Sequence, residues 1–80
     1  MTDRPPAPAL RILIVDDHPD SADTLAMMLA LAGHETQAVY RGKDVLVAAR
    51  ERRPDVVLLD ISLPDLHGYE VARLLRAEFG

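Results

Sequence analysis

Asp16 and Asp17 follow the apolar run Arg11-Ile12-Leu13-Ile14-Val15, and Asp60 follows Val56-Val57-Leu58-Leu59. Both runs read as buried strands of a parallel sheet, so all three acids emerge at C-terminal strand ends, where open α/β sheets bind their ligands. A single Asp in a loop holding Pro64 and Gly68 is an ordinary turn residue. Three brought together are not. Two carboxylates about 4 Å apart repel by about 4 kcal/mol at an effective dielectric of 20, which rivals the stability of a small domain. Such a site calls for a cation or a bound proton. Oxygen ligands on rigid strand ends, few enough to leave several waters in place, suit magnesium better than calcium. The chain has no cysteine and no paired histidines to suggest zinc. Magnesium beside a strand-end carboxylate points to phosphoryl transfer, with the carboxylate attacking phosphorus to form an acyl phosphate. Asp60 is the nucleophile in this reading. Asp16 and Asp17 hold the metal, and the backbone carbonyl of Ser62 offers a further ligand.

The surrounding pattern predicts the elements that position these acids. Pro19 and Asp20 open a helix with Ala22, Leu25, Met28, Leu29 and Ala32 at helical spacing, the methionines serving as core filler and Gly33 as the left-handed stop. Residues 35–40 alternate, with Thr36, Ala38 and Tyr40 on one face and Glu35, Gln37 and Val39 on the other, as at a sheet edge. Gly42 and Asp44 lead into a second helix with Val45, Leu46 and Ala49 inward, ended by Pro54. Gly68 precedes a third, with Val71, Ala72, Leu75 and Phe79 inward. Three βα units result. In strand order 1-2-3 the acids would stand about 10 Å apart, whereas in order 2-1-3 the first and third strands are neighbours at about 4.8 Å. The alternating second strand belongs outside. That favours 2-1-3, whose central junction is a topological switch point and hence the expected crevice.

Eighty residues make one small domain, with 49 % hydrophobic and 28 % charged residues, as in an ordinary globular chain. The net charge of -4 argues against direct nucleic-acid binding. Residues 1–9 hold Pro5, Pro6 and Pro8 and read as a disordered tail or linker. No apolar run approaches the roughly 20 residues of a membrane span, and the expected compartment is the cytoplasm.

Ile12-Leu13-Ile14-Val15-Asp16-Asp17, then Pro54-Asp55-Val56-Val57-Leu58-Leu59-Asp60, then Leu63-Pro64 and Gly68-Tyr69-Glu70 together resemble the receiver domain of bacterial two-component response regulators. The resemblance covers about residues 10–80, a partial receiver domain. It implies a flavodoxin-like sheet of order 2-1-3, a phosphoryl group accepted on Asp60 from a histidine kinase or phosphotransfer protein, and magnesium at Asp16 and Asp17. Asp17 would be the direct ligand and Ser62 would contribute its carbonyl oxygen. A module of this kind takes part in its own phosphoryl transfer and is not a turnover enzyme. The family's fourth and fifth strands, with a Ser or Thr and a Lys that contact the phosphoryl group, are not among these residues. The chain's one lysine, Lys43, stands at the start of the second helix. Leu63 and Leu66 replace common methionines, and His67 stands where an acid is commoner. His67 reads as a solvated loop residue, His18 as turned to solvent and His34 as a turn residue.

A second reading is an interaction module that does no phosphoryl chemistry and binds a partner or a second copy of itself through the open edge of the third strand. An aspartate-nucleophile phosphatase of the dehalogenase type needs a second Asp two residues after the first. Ser62 stands there, which argues against it.

Overall fold

The computed structural model describes residues 8–60 and 67–80. Strand β1 (Arg11–Val15) leads through helix α1 (Pro19–Leu31) to β2 (Glu35–Val39). A 3-10 turn (Gly42–Asp44) and helix α2 (Val45–Arg52) lead to β3 (Val56–Leu59), and helix α3 (Gly68–Phe79) follows. The sheet is parallel, in the order β2-β1-β3. The all-apolar strand is therefore central, as its pattern requires.

β1 is covered on both faces. Ile12 and Ile14 meet Ala22 of α1, joined by Ala26, Leu29, Ala38 and Val56. Leu13 and Val15 point the other way, into a core with Val39, Val45, Ala48, Ala49 and Val71. Successive strand side chains alternate in direction, so one five-residue strand anchors two layers. α1 lies on one face and α2 with α3 on the other. The chain moves outward from β1 to β2, then back across β1 to β3, and right-handed crossovers taken in opposite directions put their helices on opposite faces.

Local signals act where expected. Pro19 occupies the first turn of α1, where its missing N–H costs nothing, and Gly33 takes a φ of 103° after the helix. α2 is capped at its C-terminus by Arg53, in the left-handed region at φ 49°, one residue before Pro54. Its Ala48 is buried alongside the expected Val45 and Ala49.

The buried stripe of α1 departs from expectation. Leu25 is 37 % exposed and Met27 and Met28 are above 60 %, so the methionines are not core filler. The sheet is met instead by Ala22, Ala26 and Leu29, spaced i, i+4, i+7. Small residues on this stripe allow close approach, and the Thr36 hydroxyl donates to the Ala26 carbonyl at 3.1 Å. Tyr40 falls just outside β2 and its hydroxyl donates to Asp23 at 2.6 Å. Phe79 is 38 % exposed, with the Arg53 guanidinium 5.4 Å above its ring.

α2 and α3 are joined by a two-pronged pair, in which Arg50 Nε and Nη2 donate to the Glu78 carboxylate at 2.6 Å each. The pair holds Glu78 below its ordinary pKa. A depressed carboxylate stabilises the fold above its unfolded pKa, and that contribution is lost as pH falls through the folded value. Melting temperatures of the wild-type chain and Glu78→Gln are therefore expected to differ at neutral pH and to converge in acid below the ordinary glutamate range. A constant difference at every pH would contradict this role.

Candidate functional site

Val15 of β1 lies opposite Leu59 of β3, so the residues after these strands emerge together. The Asp60 N–H donates to the Val15 carbonyl at 2.9 Å, and the Asp16 N–H donates to the Val39 carbonyl at 3.2 Å. The ladder thus continues one residue past each strand and holds the backbone of both acids. One carboxylate oxygen each from Asp16, Asp17 and Asp60, with a ring nitrogen of His18, all lie within 4.8 Å of one another. The structure brings the three predicted aspartates together at the switch point. Ser62, the fourth predicted site residue, lies outside the described residues, as do Leu63 and Leu66.

The loop after β1 is folded around Asp16. Its Oδ1 accepts the His18 N–H at 3.0 Å, a turn closed by its own side chain. That amide is the largest influence holding the Asp16 carboxyl below its ordinary pKa, against the opposing effect of burial; the His18 ring and Asp60 add to it. The His18 ring is raised in turn, first by its bond to Asp16 and then by the charges of Asp17 and Asp16.

Asp17 Oδ1 is buried and has no hydrogen-bond partner, although it lies 3.1 Å from His18 Nδ1. That contact has the distance of an ion pair without the alignment of a hydrogen bond. A buried carboxylate oxygen left in this way is costly, and a cation among these oxygens would remove the cost. The donor set therefore fits a hard divalent ion.

Each histidine does more than its sequence reading gave it. His18 is 72 % exposed at its side chain, yet Nδ1 reaches Asp16 Oδ1 at 3.0 Å. The signal was present in Asp17-His18-Pro19. Proline at the first helical position makes His18 the N-cap in extended conformation, which turns its ring back over the preceding acids. His67 is exposed but caps α3, its ring accepting the Tyr69 N–H at 3.2 Å and stacking on Tyr69 at 5.1 Å. His34 Nδ1 accepts the Leu10 N–H at 3.1 Å and so ties down the start of β1.

An open parallel α/β sheet with an acidic crevice at its switch point defines the flavodoxin-like class of ligand-binding folds. The family model described as the response regulator receiver domain matches residues 12–79, and the chain belongs to that family. It is 47 % identical over 70 residues to the DNA-binding response regulator MtrA of Mycolicibacterium smegmatis, covering 88 % of this chain and 31 % of MtrA. It is 45 % identical over 65 residues to protein PilH of Pseudomonas aeruginosa, covering 81 % of this chain and 54 % of PilH. Among solved structures, the response regulator TrrA of Thermotoga maritima in complex with Mg2+-BeF superposes with a TM-score of 0.81 at 34 % identity, over 88 % of this chain and 61 % of TrrA. The BeF3-activated receiver domain of Klebsiella pneumoniae RstA gives 0.82 at 30 % identity, over 88 % of this chain and 60 % of that one. The chain thus spans about a third of the length of MtrA and three fifths of these two structures.

Proposed function

We propose that this chain is the phospho-acceptor part of a two-component relay, taking a phosphoryl group on Asp60 from a phosphohistidine of a histidine kinase or phosphotransfer protein. The carrying observation is the convergence of Asp60 with Asp16 and Asp17 at the ends of β3 and β1. A carboxylate oxygen of Asp60 attacks phosphorus. A P–O bond forms, the donor's P–N bond breaks, and the departing imidazole nitrogen takes a proton from water. Asp16, Asp17, Asp60 and the Ser62 carbonyl would hold Mg2+, which when bound neutralises phosphoryl oxygens. The Mg2+-BeF complex of TrrA and the BeF3-activated state of RstA support the reading by similarity. Residues 10–80 act as part of a receiver domain and residues 1–9 as a tail or linker. The module works in the cytoplasm, binds neither nucleic acid nor membrane directly, and does not turn over as an enzyme. No described helix is long and apolar enough to cross a membrane.

Incubation with phosphoramidate should add one phosphoryl group, read by intact mass, when Mg2+ is present and none when it is chelated. No gain in a chain that binds Mg2+ would sink the proposal.

One observation favours a second reading. Among the described residues no strand pairs with the outer edge of β3, and Leu58 there is 39 % exposed. An apolar strand with a free edge is a template for pairing, here with a second copy. A dimer that strengthens with concentration in size-exclusion chromatography is the expected result, and a strict monomer throughout the series counts against it.

A further inference from the structure

The His18 ring sits inside the acid cluster and not beside it. Its Nδ1 lies 3.0 Å from Asp16 Oδ1 and 3.1 Å from Asp17 Oδ1. Ligand atoms on adjacent corners of an octahedral ion, with bonds of about 2.1 Å, stand about 3.0 Å apart. The nitrogen that hydrogen-bonds to Asp16 Oδ1 thus stands where, with its proton displaced, it could share one ion with both carboxylates. The buried Asp17 Oδ1, facing this nitrogen without a hydrogen bond, marks where that ion would be shared.

We propose that His18 makes this a mixed imidazole–carboxylate centre, which binds imidazole-favouring divalent ions such as Ni2+ and Co2+ more tightly, relative to Mg2+, than its carboxylates alone would. Magnesium gains little from a nitrogen ligand and keeps its waters, whereas nickel and cobalt bind imidazole well and stand higher in the general affinity order of divalent metals. Because the ring is on a loop and 72 % exposed at its side chain, it is accessible to an ion arriving from solvent. The inference rests on the metal-site reading above, but concerns which ion is held and by what.

The test is calorimetric titration of the tag-free chain and of His18→Ala with NiCl2 and with MgCl2, at one fixed near-neutral pH. The ratio of nickel to magnesium affinity is expected to fall at least about ten-fold in His18→Ala. The visible spectrum of bound Co2+ should change in the same variant, as a nitrogen ligand is lost. His18→Asn, which places a favourable capping side chain at the N-cap of α1, should behave as His18→Ala does, and circular dichroism establishes that both fold. His34→Ala should leave the ratio where it was. An unchanged ratio in both folded His18 variants would overturn the proposal, even with magnesium binding intact. Nickel binding that depends on His18 in a chain with no affinity for Mg2+ would support it and sink the magnesium reading. No binding of either ion would end both.

Discussion

Asp60→Asn is expected to take no phosphoryl group from phosphoramidate and, in metal-free buffer, to melt at a higher temperature than the wild-type chain. The first effect follows from chemistry, because a neutral amide oxygen is no substitute for the attacking carboxylate. The second follows from electrostatics. One carboxylate oxygen from each of the three acids lies within 4.8 Å of the others, and at an effective dielectric of 20 a unit-charge pair at that distance repels by about 3.5 kcal/mol. Solvent and the His18 ring screen much of this, since Asp16 and Asp17 keep 27 % and 28 % of their side-chain surface exposed. What remains of the repulsion is expected to raise the melting temperature by a few degrees in a domain of this size. The substitution leaves the backbone in place, since the Asp60 N–H that bonds the Val15 carbonyl belongs to the main chain. Greater stability coupled to loss of activity is the mark of a site held under strain for its function. A variant that melts lower and still gains a phosphoryl group would refute both halves of the argument.

Leu13→Ala is expected to remove most of the fold's stability. Leu13 is 1 % exposed at the middle of the central strand, in register with Gln37 on one side and Val57 on the other. It lies in the core that holds α2 and α3 to the sheet. Truncation to Ala at such a site costs about 2–5 kcal/mol, whereas a chain of 80 residues has about 4–12 kcal/mol in all. Urea denaturation followed by circular dichroism should give a midpoint far below wild type, or no cooperative transition. Met28→Ala, at a position 61 % exposed, should stay within about 0.5 kcal/mol and serves as the control. Equal effects from the two substitutions would contradict the core described here.

Much of the fold was legible in the chain because strands report their surroundings at short range. An apolar run such as 12–15 admits only a position covered on both faces, and the alternation through Thr36, Gln37 and Ala38 admits only a poorer one. That contrast led to order β2-β1-β3, and with it to Asp16, Asp17 and Asp60 sharing one crevice. Receiver family membership rested on the same residues. The helix α1 was legible in extent but not in rotation. Leu25 and Met28 offered the more hydrophobic stripe, yet the sheet took Ala22, Ala26 and Leu29. Hydrophobicity alone does not register how close a helix must come to a pleated surface.

The sequence by itself determined which acids stand at strand ends, which strand is central and where the first helix begins and ends. Each follows from patterns a few residues long, the two-residue alternation of strands and the special backbone geometry of Pro19 and Gly33. Tertiary structure alone decided how closely the His18 ring approaches Asp16 and Asp17, that Asp17 Oδ1 is buried without a hydrogen bond, and which face of α1 is covered. These depend on where a loop closes against a neighbouring strand and on how near a helix packs. The residues that set such distances lie far apart along the chain.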